Sequence, residues 1–294
     1  MISIIISTVN QEHLKAVRKN IEETIGAPYE IIAIDNHSGE KGICEVYNLG
    51  AKQAIFEFLC FMHEDVNIKT YGWGKKIVSH WDNDENLGLI GVAGSSFKSS
   101  VFSRANPNIS FSSVDFGNII QSFKYSEEPA HLYYRNIGYN QSQEVAVLDG
   151  VWLCTKRHIW EEFPFDEQTF KGFHCYDLDI SIAIGQKYKV AVIYDFLLQH
   201  YSEGKFEIEW MKETFKLHKK WRHYLPVNKA GFSYKEIHYT EKKSYRDVVP
   251  DLIRWNYNLS AILNVLRYSN ILRLDPTLYI KLYYYALKEY LFKR

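Results

Sequence analysis

The chain has 294 residues, 46% hydrophobic and 24% charged, with 35 Lys plus Arg set against 35 Asp plus Glu. That length buries a sizeable core in one large domain or a domain with an appendage, and the balance is that of a globular chain rather than a disordered one. No apolar run approaches the roughly 20 residues that span a bilayer, and the first apolar run has neither a basic leader nor a small-residue cleavage site, so it reads as a strand rather than a signal peptide.

Strands are expected near 2–7, 30–34, 58–62 and 87–93, alternating with helices near 11–25, 40–56 and 72–82. Alternation of this kind builds an α/β fold with a mostly parallel central sheet flanked by helices. The first three strands share a form: Ile2 to Thr8, Glu30 to Asn36 and Phe58 to Asp65 each run apolar and end in polar or acidic side chains. Open α/β sheets bind ligands at the carboxyl ends of their strands, so these three ends are expected to converge on one pocket. From Gly94 to about Glu144 the chain is Ser-rich and aromatic, with weak periodicity and an Asn106-Pro107-Asn108 turn. A segment that long without a clear period reads as a functional loop or lid. Strand character returns from Glu144 to Thr155, a helix is expected from near Asp177 to before Lys189, and Val190 to Tyr194 reads as a buried strand. After His200 the pattern turns helical and rich in Lys, Trp and Tyr, which divides the chain into 1–204 and 205–294.

The neutral total hides an asymmetry. From Lys205 onward there are 18 basic against 9 acidic residues, leaving 17 basic and 26 acidic before it, so the two parts carry about +9 and −9. Such separation suits a protein working against an anionic surface, and equally a solvated helix face or attraction between the two parts. Cys44, Cys60, Cys154 and Cys175 lack metal-site spacing and read as buried free thiols of a reducing compartment.

His63-Glu64-Asp65, at the end of the third strand, is a compact group able to hold a divalent cation and a nucleotide. His200, between an apolar run and a polar loop, is a second candidate ligand, or a satisfied structural histidine. No Gly-rich, Lys-bearing phosphate loop follows the first strand, which argues against a nucleotidyltransferase.

Taken in order, the motifs resemble the glycosyltransferase family-two group with the GT-A fold. Ser7-Thr8-Val9-Asn10 is similar to its first turn, Asp35-Asn36 to the acidic end of its second strand, and Asn48-Leu49-Gly50 to the helix before its Asp-x-Asp motif. That motif stands here in departed form as His63-Glu64-Asp65. Leu148-Asp149-Gly150 and Phe165-Asp166-Glu167 look like the acceptor-side strand and loop, and Tyr176-Asp177-Leu178-Asp179 is similar to the segment that supplies the catalytic base, with Tyr176 in place of a Glu. The resemblance covers roughly the first two-thirds of the chain.

It implies a nucleotide site of Ser7, Thr8, Asn10, Asp35, Asn36, His63 and Glu64, with Asp35 on the ring NH of uracil or guanine. It implies Asp65 and His200 as ligands of Mn2+ or Mg2+, and an acceptor side formed by Asp149, Gly150, Trp152, Asp166, Glu167 and Tyr176. Asp177 is the implied general base of an inverting transfer; its other use would be stabilising a helix start, as for Asp179. Trp152 and Trp160 are read either as sugar-stacking or as core. Asn48 and Gly50 are read as allowing tight helix packing. The expected activity is transfer from a nucleotide diphosphate sugar, with a UDP-linked donor expected, to a glycan or lipid-linked acceptor of surface polysaccharide synthesis, such as capsule or lipopolysaccharide. The alternative is a catalytically impaired nucleotide-sugar-binding or scaffold protein. No nucleic acid partner is expected. The location is read as cytoplasmic, with the Tyr- and Lys-rich helix at 276–294 serving as cap, homodimer contact or attachment to the inner membrane face.

Overall fold

The computed structural model describes residues 1–103, 114–124, 127–138, 140–202 and 208–292. A seven-stranded sheet runs in the order Ser142–Glu144, Lys189–Ile193, Leu87–Gly91, Trp152–Lys156, Phe58–Met62, Ile2–Thr8, Tyr29–Asp35. All its strands point one way except Ser142–Glu144 and Trp152–Lys156, which run antiparallel to their neighbours. The sheet is therefore mostly parallel, as the alternation implies. Phe58–Met62 is buried at every position, as a run with helices on both faces must be. Helices Gln11–Thr24 and Ile43–Gln53 fall within the expected spans, and Trp73–Asn83 runs one residue past its own. Gly50 brings the second of these against the first strand, since a Cβ there would stand 2.3 Å from Ile5 Cγ2.

The segment from Gly94 to Glu144 departs from the expected loop. Its described residues supply strands Ala93–Ser95, Phe97–Lys98, Asp115–Gln121, His131–Arg135 and Ser142–Glu144; Asn106-Pro107-Asn108 lies outside the described residues. Three of these strands join Val147–Leu148, Leu198–His200 and Val66–Ile68 in a second, six-stranded sheet. In that sheet His200 pairs with Val66 in an antiparallel register, and the Tyr201 N–H donates to Asp65 O at 3.0 Å. Residues 134 and 136 positions apart in the chain are thereby fixed as neighbours.

Beyond the second sheet lie helices Ile208–Lys220, Tyr234–Arg254, Leu259–Tyr268, Ile271–Leu274 and Pro276–Phe292. They share a core containing Trp210, Tyr245, Leu252 and Leu282, and this core also takes in Val101 and Phe102. The expected boundary at 204/205 lies outside the described residues. All four cysteines are buried and free. Among the described residues no helix is long and apolar enough to cross a membrane.

Candidate active site

Ile6 pairs with Met62 and Thr8 with Asp35, so the loops after the first three strands leave one edge of the sheet together. Glu64, 8% exposed, ties two of them. Its carboxylate accepts from the Thr8 hydroxyl at 2.5 Å and from the N–H groups of Val9 and Asn10 at 3.1 Å. Asn10 caps the following helix, accepting from Glu12 N at 2.9 Å and His13 N at 3.3 Å. Asn36 closes its own turn through the N–H and C=O of Lys41 at 3.2 and 2.9 Å. The side chains of Thr8, Asn10, Asn36 and Glu64, expected on the nucleotide, are thus committed to shaping the loops. Ser7 is half-buried and Asp35 exposed at the strand ends; the backbone N–H of His37 leads in holding the Asp35 carboxyl below its ordinary range.

Next to this turn, His63, Asp65 and His200 bring ligand atoms within 4.8 Å of one another. His63 Nδ1 stands 3.9 Å and His200 Nε2 3.6 Å from Asp65 Oδ1, and the Ser202 hydroxyl donates to Asp65 Oδ2 at 2.6 Å. The other nitrogen of His63 fixes the tautomer. The Tyr176 hydroxyl gives its one hydrogen to Gly150 O at 3.0 Å, so at 2.9 Å from His63 Nε2 it accepts from that nitrogen. Nδ1 then faces Asp65 as a lone pair. Burial first, then His200, lowers the His63 pKa to about 4. Burial pushes the Asp65 carboxyl up, but His200, Ser202 and His63 outweigh it and hold the group well below the carboxylate range. A carboxylate, a neutral imidazole whose far nitrogen is anchored, and a second imidazole form a donor set suited to Mn2+, which accepts nitrogen as well as oxygen.

The residues expected on the acceptor side begin with Asp149 and Gly150. A Cβ on Gly150 would stand 2.2 Å from the Tyr176 hydroxyl, so only glycine lets Tyr176 reach both His63 and the Gly150 carbonyl. Helix Tyr176–Ile184 starts from Cys175 in the left-handed region, at φ 64. Asp177, half-buried, accepts from Gly150 N at 3.0 Å and from Leu178 N at 2.9 Å. Burial, then the Asp149 carboxylate, raises its pKa to about 7 against those N–H groups. Asp149 is exposed and closes its turn on Val151 N at 3.0 Å.

The other residues expected on the acceptor side are placed as follows. Trp152 is 0% exposed and packs on Phe196 with ring centroids 4.5 Å apart; it belongs to the core and is closed to a sugar, because its strand is covered on both faces. Trp160, also buried, donates to Asn48 Oδ1 at 3.1 Å. Asn48 gives its amide hydrogens to Phe165 O and Glu167 Oε2, both at 2.8 Å, so Glu167 is a clasp between loop and helix. Asp166 accepts from Thr169 N at 3.0 Å and Lys220 Nζ at 2.8 Å. Asp179, facing away from Asp177, meets Lys220 at 2.8 Å and Trp221 Nε1 at 2.7 Å.

Two residues at the site escape the sequence reading. Ser202 orients Asp65, and Phe173, 52% exposed, holds its ring 5.4 Å from His63. Phe173 had one available signal, an aromatic shortly before Tyr176-Asp177; Ser202 had none, since only the second sheet brings it to Asp65.

The mostly parallel sheet with its strand-end site is a GT-A architecture, and the comparisons agree. A family model described as "Glycosyltransferase like family" matches residues 3–223, and the chain belongs to that family. No curated protein sequence matches it. Among solved structures it is similar to S. aureus TarS, with TM-score 0.57 and 11% identity over 98% of this chain and 53% of that one. It is also similar to TarS 1–349 in complex with UDP-GlcNAc, with TM-score 0.52 and 11% identity over 98% of this chain and 91% of that one. The chain thus spans about half of the longer TarS chain, at 53%. At these identities the likeness establishes the GT-A fold.

Proposed function

We propose that the protein moves a sugar, with inversion, from a UDP-linked donor to a hydroxyl of a glycan or lipid-linked acceptor in surface polysaccharide synthesis. The observation that carries this is the placement of Asp177 beside the His63–Asp65–His200 cluster, joined to it through Tyr176 and Gly150. His63, Asp65 and His200 would hold Mn2+ or Mg2+, which neutralises a diphosphate and acts as Lewis acid on the leaving group. Asp35 and Ser7 receive base and ribose at the strand ends. Asp177 takes the proton of the acceptor hydroxyl as its oxygen bonds to the anomeric carbon and the bond to the diphosphate oxygen breaks. A carboxyl with pKa about 7 is matched to that task near neutrality. Phe173 offers a ring face for a sugar. TarS 1–349 is found with UDP-GlcNAc, which makes UDP-sugars the first donors to test.

Tyr176 in place of the family's Glu would suit a protein that has lost turnover, yet here it orients His63, which favours a working site. The test is a screen of nucleotide-sugars by thermal shift with and without Mn2+, followed by transfer assays on glycan and lipid-linked acceptors. Binding without transfer to any acceptor would support the binding-protein alternative. We further propose that residues 208–292 form an appended helical unit that attaches to the cytoplasmic face of a membrane. Leu278, Leu282 and Ala286 pack inward as a cap, while Ile280, Tyr284 and Leu291 form an outward stripe, each at least 65% exposed. Lys293 and Arg294, part of the expected basic edge, lie outside the described residues.

A further inference from the structure

Away from the strand-end site, a cavity of about 340 Å³ opens between Ser100–Phe102 and the helix Ile208–Lys220. Small-molecule sites run from about 300 to 1,000 Å³. Phe102, Phe215 and Leu225 supply apolar wall, and none of Asp65, His200 or Asp177 lines it.

His218 does line it, and is 7% exposed. Its ring stacks on Phe102 with centroids 4.5 Å apart and planes at 21°. Nδ1 lies 3.1 Å from Ser100 O; a carbonyl only accepts, so Nδ1 carries the hydrogen and Nε2 of the neutral ring is a lone pair. Burial, then the Lys98 charge, keeps that ring neutral. Nε2 is buried without a hydrogen-bond partner among the described residues and has no surface open to the cavity. At the rim, Lys216 is paired with Glu213 at 2.8 Å. Lys219 and Arg222 are exposed and lack a carboxylate partner among the described residues.

We propose that this cavity is a second binding site, taking a small amphipathic anion. Its apolar body lies against Phe102, Phe215 and Leu225, and its acid group faces Lys219 and Arg222. The apolar wall alone would take any hydrocarbon; the two cations select an occupant that carries a negative charge.

Anilinonaphthalene sulfonate has both features, and N-phenyl-1-naphthylamine lacks only the sulfonate. By fluorescence titration of the intact protein, the sulfonate probe is expected to saturate a single site. Lys219→Ala with Arg222→Ala is expected to weaken it about tenfold and leave the uncharged probe unchanged. Because Lys219 and Arg222 are exposed, the double variant is expected to keep its melting temperature, so the comparison of the two probes reads the site and not the fold. Non-saturable binding, or a sulfonate-probe affinity untouched by the double variant, would overturn the proposal.

Discussion

His63 donates from Nε2 to the Tyr176 hydroxyl across 2.9 Å, although His63 follows the strand Phe58–Met62 and Tyr176 opens a helix 113 positions further on. That bond sets which imidazole nitrogen faces Asp65, and it makes a tyrosine in the acceptor-side helix a support of the cation cluster. Tyr176→Phe removes the hydroxyl and keeps the ring. It is expected to leave the protein folded and weaken Mn2+ about tenfold or more by calorimetry; unchanged Mn2+ affinity would show that the tautomer is set elsewhere.

Asp65 is the cluster's one carboxylate, held by Ser202 and flanked by two imidazoles. Asp65→Ala is expected to abolish the Mn2+-dependent rise in melting temperature given by UDP. His200→Ala should lower the same rise less severely, since it removes one neutral ligand. Full stabilisation of the Asp65 variant would take that residue out of the cation site.

The proton chemistry gives a signed pH dependence. Asp177 accepts a proton only when ionised, and burial with Asp149 puts its pKa at about 7. The transfer rate is expected to be low on the acid side, to climb through about 7 and then level. Asp149→Asn removes the like charge, so the inflection should move to lower pH. A flat profile across neutrality, or an upward move, would contradict the assignment.

Lys220 bridges Asp166 and Asp179 at 2.8 Å each. Asp179 is 3% exposed, and stranding a buried carboxylate costs about 3–5 kcal/mol. Lys220 is itself partly exposed and Trp221 remains as a donor, so Lys220→Met is expected to cost about 2 kcal/mol by denaturant unfolding. Adding Asp179→Asn should recover part of that loss; strict additivity of the two changes would deny the pairing.

The outward stripe of Ile280, Tyr284 and Leu291 is expected to give salt-sensitive sedimentation with anionic liposomes, weakened by Tyr284→Glu with Leu291→Glu. Sedimentation absent at low salt would sink the membrane reading, and a concentration-dependent dimer lost in the same variant would assign the stripe to a second copy.

The parts of this molecule legible in its sequence are those with a strong period or a buried run. Ile2–Thr8, Phe58–Met62 and the helices between them announce themselves, because strands covered on both faces are continuously apolar. The second sheet does not, since Ala93–Ser95, Phe97–Lys98 and Ser142–Glu144 are short and carry Ser, Gly and polar residues. Its pairing of His200 with Val66 is a long-range fact that local pattern cannot encode. Residue types at the site were readable, but their division of labour was not. Glu64 sits between His63 and Asp65 yet turns inward to Thr8, and Trp152, one of two tryptophans with a stacking reading, lies wholly in the core.

The central claim is that Asp177 is the base of a sugar transfer, and Asp177→Asn tests it most directly. Asparagine keeps the size and can still accept from Gly150 N, but cannot take a proton. With a UDP-sugar and Mn2+ at neutral pH, the account predicts donor affinity close to that of the unmodified protein and transfer lower by about a hundredfold or more. Transfer retained at its original rate, with donor binding intact, would contradict it.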